Sequence, residues 1–80
     1  MVNTILITLG NNIQRLRQSR GETLQELGDA LHLTRSAVKN YENAEREPSL
    51  EIVAAIAEHY GVTVDELLRG DASRRAETAK

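Results

Sequence analysis

The side chains able to do chemistry gather in one stretch, Leu33-Thr34-Arg35-Ser36-Ala37-Val38-Lys39-Asn40-Tyr41-Glu42-Asn43. Thr34 is a good helix N-cap, because its hydroxyl can accept from the unpaired amides of a first helical turn. Val38 and Tyr41 stand three apart and so share a face, with Tyr41 placed in the core and its hydroxyl reaching an edge. The opposite face is left to Arg35, Ser36, Lys39 and Asn40. Arginine pairs with guanine through two hydrogen bonds, asparagine does so with adenine, and serine serves either. A short helix with an apolar back and such a front fits a DNA major groove. A polar face alone is the ordinary state of a surface helix, so its meaning depends on what positions it.

Other chemistries find no residues to carry them. No nucleophile sits beside a base, and no glycine-rich phosphate loop or carboxylate constellation stands out, so an enzyme is not expected. His32 and His59 are too far apart in sequence for a local metal motif, and His59 reads as a helix-surface residue. Neither a metal nor another cofactor is expected.

Eighty residues make one small domain, near the size at which a single core suffices. There is no cysteine, which rules out disulfides and thiolate metal sites and suits a reducing compartment. No apolar run approaches the roughly 20 residues needed to span a bilayer. The start lacks the basic residues of a signal peptide, so a cytoplasmic, membrane-free protein is expected. The net charge of −2 weighs against a nucleic-acid binder working by bulk charge, but docking depends on local arrangement.

The elements around the central stretch follow from periodicity and caps. Residues 1–8 form an apolar N-terminal arm. Leu6, Leu9, Ile13 and Leu16 keep helical spacing, while the β-branched run around Ile5 and Ile7 also fits a short strand. Thr8 and Gly10 place the start of the first helix near Leu9, with Thr8 as N-cap. The arm either frays, as termini do, or docks on a partner subunit. That first helix runs to about Arg20, with Gln14, Arg15 and Gln18 outward, and Gly21 stops it. Thr23 and Glu26 form a capping box for a second helix that buries Leu27 and Leu31, where small Gly28 permits close approach. The short turn Leu31-His32-Leu33-Thr34 makes the third helix cross the second sharply, which is a helix-turn-helix arrangement. Pro48 and Ser49 open a fourth helix over Leu50, Val53, Ile56, Ala57 and Tyr60, ended by Gly61. A second capping box, Thr63 with Glu66, opens a short fifth helix closed by Gly70. Residues 71–80 hold no large apolar side chain and are expected to be disordered. The fold class is all-α: five helices over residues 9–70.

In order and spacing these features resemble the Cro/CI-type (XRE-like) helix-turn-helix family of phage repressors and bacterial regulators. The matching pieces are Leu9-Gly10-x-x-Ile13-x-x-Leu16-Arg17, Arg20-Gly21-x-Thr23, Glu26-Leu27, Leu31, Leu33-Thr34-Arg35-Ser36, Val38-x-x-Tyr41-Glu42, Arg46-x-Pro48-Ser49-Leu50 and Ala57-x-x-Tyr60-Gly61-Val62-x-x-Asp65-Glu66-Leu67-Leu68. The resemblance implies a phage-repressor-like domain that regulates transcription on double-stranded DNA, as a homodimer reading an inverted repeat. It also implies roles: Arg35, Ser36 and Asn40 toward bases, and Gln25, Thr34, Lys39, Asn43 and Arg46 toward phosphates. Arg17 and Glu42 match a partly buried ion pair tying the first helix to the third.

Four positions depart from the family pattern. Leu24 stands where glutamine is usual, so a backbone clamp is lost or moved to Gln25. His32 replaces the turn glycine, Ala44 replaces the glycine after the third helix, and Glu45 occupies a position often basic. Together with the acidic balance, these keep open an alternative: a protein-interaction or antitoxin-type module on the same fold with weakened DNA binding.

Overall fold

The computed structural model describes residues 4–69. Five helices follow one another: α1 Thr4–Ser19, α2 Leu24–Leu31, α3 Arg35–Glu42, α4 Leu50–Tyr60 and α5 Val64–Arg69. There is no strand among the described residues. Residues 70–80, which include the expected closing glycine and the polar tail, lie outside them.

Each helix contributes to one core. Leu9 and Ile13 come from α1, Leu27 from α2, Val38 and Tyr41 from α3, Val53, Ile56, Ala57 and Tyr60 from α4, and Leu67 from α5. Leu24 and Leu31 pack at its margin. The departure at position 24 is thereby explained: this leucine is turned half inward and serves packing.

The first helix starts at Thr4, five residues before the expected start at Leu9. Thr8 is therefore an interior helical residue and not an N-cap, and the part of the arm from Thr4 onward is helix. Packing explains the correction, since Leu6 lies against the core in phase with buried Leu9 and Ile13. Gly10 does not mark a boundary. A Cβ built there would lie 2.6 Å from the Glu42 carbonyl oxygen and 2.7 Å from that of Tyr41. The missing side chain lets α1 rest directly on the end of α3.

Asn12, buried in α1, had no sequence signal. Its Nδ2 donates to the Leu67 carbonyl at 2.8 Å. A six-residue helix cannot hold itself together in water, so this bond to a chain-distant carbonyl helps to fix α5 where its one buried residue, Leu67, completes the core.

The first four helices end alike. In each, an amide two or three residues past the end bonds back to the carbonyl five residues earlier: Glu22 to Arg17, Leu33 to Gly28, Glu45 to Asn40 and Val62 to Ala57. This closure needs one left-handed residue, which glycine adopts without steric cost. Gly21 and Gly61 fill it after α1 and α4, but His32 and Ala44 fill it after α2 and α3, each with φ +60°. A Cβ in that conformation costs about 1–2 kcal/mol. Part of this is offset because alanine restricts the unfolded chain more than glycine does. Ala44→Gly is accordingly expected to stabilise the domain by about 1 kcal/mol, raising the thermal midpoint by ~4–8 °C in a calorimetric scan.

Candidate nucleic-acid interface

The site is built from α2 outward. Thr23 accepts from the Glu26 amide at 3.0 Å while the Glu26 carboxylate accepts from the Thr23 amide at 2.8 Å, which fixes where α2 begins. At its far end the bare Cα of Gly28 lets the chain turn tightly. A Cβ there would come within 2.7 Å of the Leu33 carbonyl oxygen. The Leu33 amide donates to the Gly28 carbonyl, also at 2.7 Å. Thr34 then caps α3, its Oγ1 accepting from the Ala37 amide at 3.0 Å.

The inner side of α3 is held by Val38, Tyr41 and Glu42, all buried. Glu42 meets Arg17 at two points, Nε to Oε2 at 2.6 Å and Nη2 to Oε1 at 3.0 Å. Side-chain exposure is 12% for Arg17 and 4% for Glu42, so the pair is largely withdrawn from water. The hydrogen bond to Glu42 outweighs burial and raises the Arg17 pKa further above its usual value. Arg17 also donates from Nη1 to the Glu22 carbonyl at 2.9 Å.

Glu22 extends the network to α4. It accepts from the Tyr60 hydroxyl, and its Oε2 lies 2.8 Å from His59 Nε2. Burial opposes its charge, but these two partners prevail and hold the carboxyl below its usual range. Burial, reinforced by the bond to Glu22, pushes the Tyr60 phenol far above its own. Arg20 closes the group, its guanidinium carbon 4.9 Å from the Tyr60 ring centre and Nη1 donating to the His59 carbonyl at 3.1 Å. His59 is therefore half-buried and paired rather than a free surface residue. Its partner is 37 positions away, too far for local spacing to reveal.

The outer side of α3 carries Arg35, Ser36 and Lys39, all exposed, with Asn40 half-buried beside them. Asn43 and Arg46 continue the exposed surface past the helix end. These six side chains make no hydrogen bond or ion pair among the described residues. Arg35, Ser36, Lys39 and Asn40 stand at helical spacing on one side of a rod fixed at both ends, and the donors and acceptors of all six are unspent. Gln25 differs. It is exposed on α2, but its Nε2 already donates to Asp29 Oδ1 at 2.9 Å. Glu45 is exposed among the basic groups.

A helix-turn-helix family model matches residues 13–67, from the first helix through Leu67 in the fifth. The chain belongs to the Cro/CI-type helix-turn-helix family. Members similar to it include the HTH-type transcriptional activator BcrR of Enterococcus faecalis, 32% identical over 59 residues. That match covers 74% of this chain and 29% of BcrR. The HTH-type transcriptional regulator AnsR of Bacillus subtilis (strain 168) is 36% identical over 58 residues, covering 72% of this chain and 50% of AnsR. Among solved structures, the P22 c2 repressor in complex with synthetic operator 9T superposes with a TM-score of 0.74 at 27% identity. It covers 79% of this chain and 96% of that one. This Cro/CI-type chain thus spans only about a third to a half of the length of these two curated relatives. No helix among its described residues is long and apolar enough to cross a membrane.

Proposed function

We infer that the protein is a cytoplasmic, sequence-specific regulator of transcription that binds double-stranded DNA as a homodimer. The observation that carries this reading is the outer face of α3, whose hydrogen-bonding groups are uncommitted, rigidly mounted and, but for half-buried Asn40, exposed. The likeness to a repressor solved on its operator supports it. Two copies of α3 would enter successive major grooves about 34 Å apart, so the site is a short inverted repeat. Arg35, Ser36 and Asn40 read base edges. Lys39, Asn43 and Arg46 bind phosphates at and beyond the helix end. Thr34 keeps its hydroxyl proton for a phosphate oxygen, since the hydroxyl oxygen is what the Ala37 amide engages. Gln25 reaches a phosphate only by giving up Asp29.

Selection of bound sequences from a random duplex pool tests the reading and yields the operator. Enrichment of an inverted repeat is the expected result; a pool that stays random refutes it. On the selected duplex, Arg35→Ala is expected to cost ~1–3 kcal/mol and to relax discrimination at one base pair per half-site. Band shifts over single-base variants measure this, and unchanged discrimination would remove Arg35 from the readers. The interaction-module alternative is separated by salt. Phosphate contacts give log K a slope of about −0.9 per contact against log salt, whereas a domain that has lost its DNA face shows no DNA affinity to titrate.

A further inference from the structure

Within the surface assigned to DNA, one side chain has the wrong sign. Glu45 is exposed in the loop after α3, between Asn43 and Arg46. Its backbone is not free to carry it clear. The Asn43 amide donates to the Lys39 carbonyl at 3.0 Å, the Ala44 amide to that of Tyr41 at 3.2 Å, and the Glu45 amide to that of Asn40 at 2.9 Å. Three successive residues are thus tied onto the last turn of α3, and left-handed Ala44, at φ +60°, sets the direction in which the chain leaves it. The Glu45 carboxylate makes no hydrogen bond or ion pair among the described residues, not even with adjacent Arg46. Its charge stands uncancelled on a rigid mount. A duplex has little to offer such a group. An ionised carboxylate only accepts hydrogen bonds, and the donors of the major groove are the amino groups of cytosine and adenine. The phosphates can only repel it.

Resting on the DNA reading above, we propose that Glu45 is an affinity-limiting residue. Seated between the two groups that grip phosphates past α3, it repels the strand they hold and keeps each half-site contact weak. Like charges a few ångströms apart in water shift an equilibrium by about fivefold, enough to change occupancy. On an inverted repeat the repulsion acts once per copy, so its effect there is the square of that on one half-site. Firm binding then depends on both half-sites being filled, and a lone half-site is left weakly held.

Glu45→Gln removes the charge and keeps the shape, while Glu45→Lys reverses it. Both are surface changes that leave the unfolding midpoint near the parent's. Band shifts would use the duplex enriched from the random pool and a duplex carrying one half-site. Glu45→Gln is expected to tighten binding about threefold to fivefold on the half-site and roughly ten- to twentyfold on the inverted repeat. Glu45→Lys is expected to bind tighter still, with log K against log salt steeper by about 0.9 per bound copy. Glu58→Gln makes the same change in net charge near the far end of α4. It lies ~12 Å along that helix from its first residue, beyond the ~8 Å screening length at physiological salt, and is expected to match the parent within about twofold. If Glu45→Gln binds no tighter than the parent, or Glu58→Gln tightens binding as much, this role is overturned while the DNA reading stands. Weaker binding by Glu45→Gln also overturns it, and marks Glu45 as an acceptor for a base amino group. If the parent binds neither duplex, both fall.

Discussion

Glu42→Ala is expected to lower the stability of the domain by about 3–5 kcal/mol, the range for removing one partner of a buried ion pair. The magnitude follows from what is left behind. Arg17 would remain charged and 12% exposed, keeping the Glu22 carbonyl but losing both carboxylate contacts. A domain of this length is stable by only ~4–12 kcal/mol, so the variant would sit near the edge of folding. Urea denaturation measures the loss directly. Removing both charges together, as Arg17→Met with Glu42→Leu, is expected to return stability to within about 1–2 kcal/mol of the parent, because no uncompensated charge stays buried. A double variant as unstable as Glu42→Ala would show that the pair itself, and not the orphaned charge, dominates.

Gly10→Ala is expected to destabilise by about 2 kcal/mol, against the direction helix propensity gives. Alanine in a helix interior is favoured over glycine by about 1 kcal/mol. Here the new methyl would sit 2.6 Å and 2.7 Å from two backbone oxygens at the end of α3, and neither can rotate away as a side chain would. Forcing atoms into packed space costs ~1–3 kcal/mol, and a rigid obstacle places this site at or above the top of that range. Because Glu42 is one of the two residues displaced, the substitution also loosens the Arg17 contact. Asn11→Ala, one residue later and exposed, is the control: it gains propensity with no clash and should raise the midpoint where Gly10→Ala lowers it.

Capping boxes, terminating glycines and leucine spacing made α2 to α5 legible because each is a local signal of a few residues. The same signals misplaced the start of α1. Thr8 and Gly10 look like a cap and a boundary, but Thr8 lies inside the helix and Gly10 is there to clear the Glu42 carbonyl, a requirement no neighbouring residue announces. Asn12 and Glu22 were missed for the same reason, their partners lying 55 and 38 positions away in the chain. The outer face of α3 was readable from spacing alone, as was the turn that presents it. The engagement of Gln25 with Asp29 was also within local reach, four residues along one helix.

The two left-handed residues that close α2 and α3 have a practical consequence. His32 and Ala44 each hold a conformation that glycine would adopt freely. Glycine at both positions would leave the helix between them in place while adding tolerance to the scaffold. Such a chassis could absorb destabilising changes at Arg35, Ser36 and Asn40, opening the domain to having its sequence preference rewritten.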